Sequence, residues 1–202
     1  MLWHITTFEI SYRLRRMSTY VYFAIWFFMA FFSVSVRQFG PGSFGGKVFV
    51  NSPFTIATVL STLSIFGLVV MAAIFGTAIY RDFEQETYQT FFTTPIKKRH
   101  YLGGRFIGSF LVTLLTFSGL FFGLIVGAQM PWADQARLMP VDLWFHIQPF
   151  LLFVVVNSFV AGALFFTVGA LTRNIVAVYL QGVAMFSLYL LLIVLTTIAR
   201  TR

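Results

Sequence analysis

The longest uncharged run in the chain is VFVNSPFTIATVLSTLSIFGLVVMAAIFGTAIY, at residues 48–80. A helix needs roughly 20 apolar residues to cross the hydrocarbon core of a bilayer, so this run can hold one membrane span. Four further runs are free of Asp, Glu, Lys and Arg: 17–36, 106–133, 143–172 and 174–199. We therefore expect an all-α membrane protein whose transmembrane helices lie near residues 19–36, 54–79, 106–129, 149–171 and 175–199.

The composition excludes several classes of protein. Only 10% of the 202 residues are charged and 58% are hydrophobic, whereas a water-soluble domain usually carries about 25% charged residues. The chain has no cysteine, so it contains neither a disulfide framework nor a thiolate metal site. Soluble enzymes and secreted disulfide scaffolds are therefore excluded. Membrane topology accounts for the net charge of +8 without a nucleic-acid partner.

The distribution of basic residues predicts the orientation. Lys and Arg are enriched in the cytoplasmic loops of membrane proteins. A cytoplasmic N-terminus places nine bases inside and five outside. We therefore expect a multi-pass protein of a bacterial-type plasma membrane with its N-terminus in the cytoplasm. Five spans would then leave Arg200 and Arg202 outside, on the disfavoured side, which suggests a sixth span beyond this sequence.

The first 17 residues mix polar and apolar residues too finely for a span. Trp3 stands near the start, and Arg13, Arg15 and Arg16 cluster at the end. We expect an interfacial helix with Trp3 at headgroup depth and the arginines reaching lipid phosphate. A signal peptide is the less favoured alternative, because Ser33-Val34-Ser35-Val36 is a poor cleavage site.

The sequence offers no recognisable catalytic or metal centre. Its histidines, His4, His100 and His146, are far apart, and neither an HExxH nor a GxSxG motif occurs. Transporters driven by ions usually carry charged residues at membrane depth, and the five uncharged runs have none. Asn157 and Gln181 are the most strongly polar residues in the spans. An interhelical hydrogen bond is the favoured interpretation for them, and a place along a substrate pathway is the alternative.

Glycines mark a packing face on the third predicted span. Gly119, Gly123 and Gly127 follow one another at intervals of four residues. Small residues at this spacing lie on one side of a helix and let a second helix approach closely. The spacing identifies a contact face but not the helix that fills it.

The largest predicted cytoplasmic segment is YRDFEQETYQTFFTTPIKKRHYLGGR, residues 80–105. It opens with acids and closes with bases, which suits the dipole of a helix that begins near Asp82 and is interrupted at Pro95. Phe91 and Phe92 stand in polar surroundings, which favours a docking surface over a purely solvated loop.

This segment resembles the first cytoplasmic loop of type-2 ABC exporter permeases. The resemblance is carried by Arg81 to Thr87, then Phe92-Thr-Thr-Pro95-Ile96, then Tyr101-Leu-Gly-Gly-Arg105. In that family an acidic stretch with Gly-Thr leads to a leucine pair, Ser-Pro, bases and Tyr-x-x-Gly-Lys. This chain differs in having Glu86-Thr87 in place of Gly-Thr and Phe91-Phe92 in place of the leucines. The N-terminal helix is similar to the family's connecting helix, and the span order is similar to its six-span fold.

The resemblance implies a permease domain whose ATP is hydrolysed elsewhere. A separate ATP-binding cassette subunit would hold ATP and magnesium, and this chain would bind no cofactor. A second permease half, in a homodimer or a heterodimer, would complete the pathway. The end of the N-terminal helix, at Arg13, Arg15 and Arg16, would be a second docking site. The main docking residues implied are Asp82, Glu84, Glu86, Thr87, Phe91, Phe92, Pro95, Lys97, Lys98 and Arg99.

Two functions of other classes stay open on the sequence alone. An ATP-independent channel or secondary transporter is disfavoured by the uncharged spans. A membrane scaffold or anchor would use Gly119, Gly123 and Gly127 for assembly alone.

Overall fold

A computed structural model describes residues 1–36, 49–84, 97–133, 135–140 and 142–201. Within these ranges the chain is helical. The long helices are α1 (Leu2–Leu14), α2 (Met17–Ser35), α3 (Pro53–Glu84) and α4 (Lys98–Ala128). A 3₁₀ turn at Gln135–Arg137 leads to α5 (Leu143–Pro149), which runs through a π-helical stretch, Phe150–Val155, into α6 (Val156–Thr172). The last helix is α7 (Ile175–Thr201).

Five helical segments of the described chain are long and apolar enough to cross a membrane. They are Met17–Ser35, Pro53–Arg81, Lys98–Ala128, Leu143–Thr172 and Ile175–Ala199. The prediction of five such helices is thereby confirmed, and the chain is a multi-pass membrane protein. The helices begin and end close to the predicted positions, except that α5 begins at Leu143 instead of 149 and that the ends of α3 and α4 next to residues 85–96 also differ.

Those two helix ends correct the prediction for the cytoplasmic segment. The sequence predicted a helix that begins near Asp82. Instead, α3 continues through Asp82 to Glu84, and α4 begins at Lys98, before the expected residue 106. Asp82 and Glu84 therefore lie at a helix C-terminus, and Lys98 and Arg99 lie at a helix N-terminus, against the helix dipole.

The bundle is organised around α3 and α4. Helix α4 packs along α2 and α1, whereas α3 packs against α6, α7 and α4. Aromatic rings fill the centre: Trp26 of α2 meets Phe117 of α4 edge to face, with ring centroids 5.3 Å apart. Phe75 of α3 lies over Gly162 of α6. In the most apolar 18-residue stretch of α7, only 6% is buried inside the bundle. Most of this helix therefore presents apolar side chains to its surroundings.

The predicted glycine face of α4 lies against α2. A Cβ atom at Gly119 would lie 2.5 Å from the carbonyl oxygen of Phe23, and one at Gly127 would lie 2.7 Å from that of Phe31. Gly123 approaches Phe27 in the same way. These contacts are backbone to backbone, so the neighbouring helix cannot yield by a side-chain rotation. The partner that the sequence left open is the first span.

Candidate functional site

A buried ion-pair cluster joins α1 to the ends of α3 and α4. Its centre is Glu9, which is fully buried. Arg13 Nε donates to Glu9 Oε1 at 2.6 Å, and Arg81 Nη2 donates to Glu9 Oε2 at 2.8 Å. Arg105 Nη1 donates to the same Oε2. One carboxylate thus holds three guanidinium groups that come from three helices.

Close backbone packing places Glu9 among these arginines. A Cβ atom at Gly108 of α4 would lie 2.7 Å from the Cβ of Glu9, and one at Gly104 would lie 2.8 Å from the Cβ of Ile5. The hydroxyl of Thr6 donates to the carbonyl of Gly104 at 3.3 Å. Helix α1 therefore lies directly on the first turns of α4, where a larger residue in place of either glycine would push it away.

Further contacts attach Arg13 to α3. Its Nη2 donates to the carbonyl of Ile74 at 2.7 Å and to the hydroxyl of Thr77 at 3.3 Å. The carbonyl of Arg13 accepts from Thr19 Oγ1 at 2.8 Å, which ties α1 to the start of α2. Arginine supplies five donors in a planar fork, and Arg13 uses them to link two helices and a carboxylate.

The electrostatics of the cluster favour the ionised carboxylate. Burial alone raises the pKa of Glu9, but the charges of Arg13, Arg105 and Arg81 outweigh burial and hold that pKa below its ordinary value. Burial lowers the pKa of Arg13, and Glu9 partly offsets this. Arginine nevertheless stays protonated in proteins, so Glu9 and Arg13 form an ion pair at neutral pH.

The cluster corrects the interpretation of Arg13 as a lipid-facing residue. Arg13 is only 8% exposed, whereas Arg15 and Arg16 are exposed. The buried face of α1 consists of Thr6, Glu9 and Arg13. A polar face is buried here because Glu9 accepts charge-assisted hydrogen bonds from Arg13, Arg81 and Arg105 away from water. Trp3 is 67% exposed, on the outer side of α1.

Sequence reasoning missed Glu9, Arg81 and Arg105 as a unit. One local signal was available: Glu9 and Arg13 are four residues apart, so they share a helix face. The other two partners lie 72 and 96 positions away in the chain. No spacing rule connects residues so distant.

The structure distributes the predicted docking residues as follows. Lys97, Lys98 and Arg99 are exposed at the start of α4, and Glu84 is exposed at the end of α3. Glu84 directly precedes residues 85–96 in the chain, and Lys97 directly follows them. Glu86, Thr87, Phe91, Phe92 and Pro95 lie outside the described residues, as does the side chain of Asp82.

The polar residues of the last two helices do not form the predicted interhelical hydrogen bond. Asn157 is exposed on the surface of α6. Gln181 of α7 is half-buried, and its Oε1 atom is buried without a hydrogen-bond partner among the described residues. Neither side chain makes an interhelical hydrogen bond within the described residues, so that interpretation and the place along a substrate pathway both stay predictions.

No protein-family model matches the chain, and no curated protein matches it in sequence. Within the described residues, no cluster of three or more His, Cys, Asp or Glu side chains is suited to hold a metal ion.

Proposed function

We propose that the chain is the transmembrane subunit of an ATP-driven exporter of the type-2 ABC class, coupled to a separate ATP-binding cassette subunit. The observation that carries the proposal is the Glu9 cluster. Arg81 precedes residues 85–96 and Arg105 follows them, and both side chains meet one carboxylate of α1. A force applied to this segment would reach α1, α3 and α4 together.

Coupling of this kind requires two arrangements of the helices that a partner can bias. A loop attached to flexible helix ends would absorb the partner's movement locally. Here the two ends of the loop are joined by buried charge-assisted hydrogen bonds, which are shorter and stronger than neutral ones. The end of α3, the start of α4 and α1 therefore form a stiff unit at one end of the bundle, suited to transmit a displacement to the spans.

The surface of this unit carries the residues expected to contact the ATPase. Exposed Glu84 precedes the segment that contains Phe91 and Phe92 in the chain, and exposed Lys97, Lys98 and Arg99 follow it. Mixed charges beside aromatic residues are typical of a protein interface. The five uncharged runs contain no Asp, Glu, Lys or Arg that could couple an ion gradient, so the energy for transport would come from the partner subunit.

The test is co-purification of the chain with a candidate ATP-binding cassette protein. We expect a triple variant, Asp82→Ala, Glu84→Ala and Glu86→Ala, to lose binding and transport-coupled ATPase activity. The control removes an acid from the opposite end of the bundle, by Asp142→Asn, where Asn keeps the helix cap at residue 142. Undiminished binding by the triple variant would refute the docking role, and a channel or an anchor would then be the better interpretation.

A further inference from the structure

A cleft of about 350 Å³ lies beside the Glu9 cluster, between α1, the end of α3 and the start of α7. Tyr12 and Arg13 line it from α1, Arg16 lines it from the N-cap of α2, and Ile175 closes it from α7. Arg13 is held in its wall by Glu9 and by the carbonyl of Ile74. The cleft shares Arg13, Arg16 and Glu84 with the expected docking residues, but the transport proposal requires no ligand in it.

The cleft lies at the depth of lipid headgroups. Arg16 directly precedes Met17, the first residue of one candidate span, and Ile175 is the first residue of another. Arg81, also in the lining, is the last residue of a third span. Three spans therefore end around the cleft on the same side of the membrane, which is where the hydrocarbon core gives way to phosphate groups.

The lining is predominantly basic. It contains Arg13, Arg16 and Arg81 against one acid, Glu84. Arg16 is exposed, and the described residues give it no acidic partner: it contacts Tyr12, whose ring centroid lies 4.6 Å from its guanidinium carbon and whose hydroxyl accepts from its Nη2. The guanidinium carbon of Arg81 lies 4.0 Å from the centroid of the same ring. Tyr12 thus orients two guanidinium groups toward one space.

An apolar surface continues from the cleft along α7. Val176, Tyr179 and Leu180 are exposed on the first turns of this helix after Ile175. A ligand with a phosphate at one end and hydrocarbon at the other would fit the basic cleft and the apolar surface beside it. Guanidinium groups bind phosphate oxygens through paired hydrogen bonds, and basic pockets at helix ends bind anionic headgroups.

We propose that this cleft binds the phosphate of an anionic phospholipid from the leaflet beside α1, with Arg16 as the principal phosphate ligand and the acyl chains along α7. A free phosphate ion shares the same headgroup chemistry. The apolar surface of α7 favours the lipid, since a free ion would gain nothing from it.

Two adjacent arginines provide a matched test. Arg15 is exposed on the same helix end as Arg16 and carries the same charge, but it does not line the cleft. The full chain, purified in detergent, is titrated with phosphatidylglycerol and with phosphatidylcholine, and bound lipid is counted by native mass spectrometry. We expect phosphatidylglycerol to bind more tightly, Arg16→Gln to weaken it about fivefold, and Arg15→Gln to leave it within twofold. Equal losses for the two variants would overturn the proposal, because attraction by general surface charge predicts equality.

Two further measurements test the site if Arg16→Gln does not fold and distinguish a lipid phosphate from a free phosphate ion. Ile175→Trp fills the cleft without a change of charge, so it should also release phosphatidylglycerol. Retention of the lipid by this variant would refute the site, even if Arg16→Gln failed to fold. Inorganic phosphate is added as a competitor: displacement only at a large excess supports the lipid, whereas displacement at equal concentration would make the cleft a site for free phosphate.

Discussion

Glu9 Oε2 accepts a hydrogen bond from Arg81 Nη2 at 2.8 Å, although the two residues are 72 positions apart in the chain. The same oxygen accepts from Arg105. Glu9 therefore fixes the ends of two long helices to the N-terminal helix. Its side chain is fully buried, so solvent cannot replace it as the partner of these arginines.

Replacement of Glu9 should destabilise the fold strongly. Glu9→Ala leaves Arg13, Arg81 and Arg105 without their shared carboxylate. The loss of one partner from a buried ion pair costs about 3 to 5 kcal/mol. We expect a corresponding fall in the free energy of unfolding, measured by denaturation of the purified protein in detergent, and a smaller fall for Glu9→Gln, whose amide oxygen still accepts hydrogen bonds.

Glu84→Gln removes an exposed carboxylate and serves as the control, since its stability should stay within about 0.5 kcal/mol. A Glu9→Ala protein as stable as this control would contradict the structure.

The contribution of Glu9 should also depend on pH in a defined direction. Its pKa is lower in the folded protein than in the unfolded chain, where glutamate titrates near about 4.3. The unfolded state therefore binds the proton more tightly, and stability is lost as the pH falls below the unfolded pKa toward the folded one. We expect the stability advantage of the wild type over Glu9→Gln to be constant from pH 7 to about 5, and to shrink in more acidic buffer. An advantage that grew on acidification would show that the sign is wrong.

The packing of α4 on α2 gives a prediction in which two glycines respond oppositely. A methyl group at Gly123 would meet the backbone oxygen of Phe27 and lie 2.9 Å from the Cβ of Ala30. We expect Gly123→Ala to destabilise the protein by about 1 to 3 kcal/mol, as overpacking does. At Gly103 the nearest atom is Leu2 Cδ1, at an ordinary 3.4 Å, so Gly103→Ala should be neutral or stabilising by up to about 1 kcal/mol through helix propensity. Equal effects at the two positions, measured by thermal denaturation, would argue against the close approach of α2.

The apolar helices were predictable because each one is specified by its own continuous stretch of sequence. The run 174–199 is long enough to cross a bilayer and lacks charged residues. The structure has a helix there, at Ile175–Thr201. The glycine spacing of α4 likewise predicted a close contact. It could not identify α2 as the partner, since that choice depends on which backbone can approach Gly119 and Gly123.

The candidate site was less predictable, because its residues are joined through space. The sequence predicted that the arginines of α1 lie toward lipid phosphate, because basic residues are generally enriched at the membrane surface. Arg15 and Arg16 are exposed in agreement with that tendency. Arg13 differs because Glu9 lies one turn before it and because Arg81 and Arg105 arrive from other helices. Only the folded arrangement shows that a single carboxylate serves all three.

The orientation of the bundle can be tested with single cysteines, because the chain has none of its own. Arg15 lies in the exposed end of α1, and Trp132 is 64% exposed between α4 and α5, at the other end of the bundle. If the excess of bases sets the orientation, a membrane-impermeant maleimide should label Trp132→Cys in intact cells and Arg15→Cys only after permeabilisation. Each protein is its own control, since labelling of both after permeabilisation shows that both thiols are accessible. The reverse pattern would place Lys97, Lys98 and Arg99 outside the cell, away from ATP, and would exclude their proposed contact with a cytoplasmic ATPase.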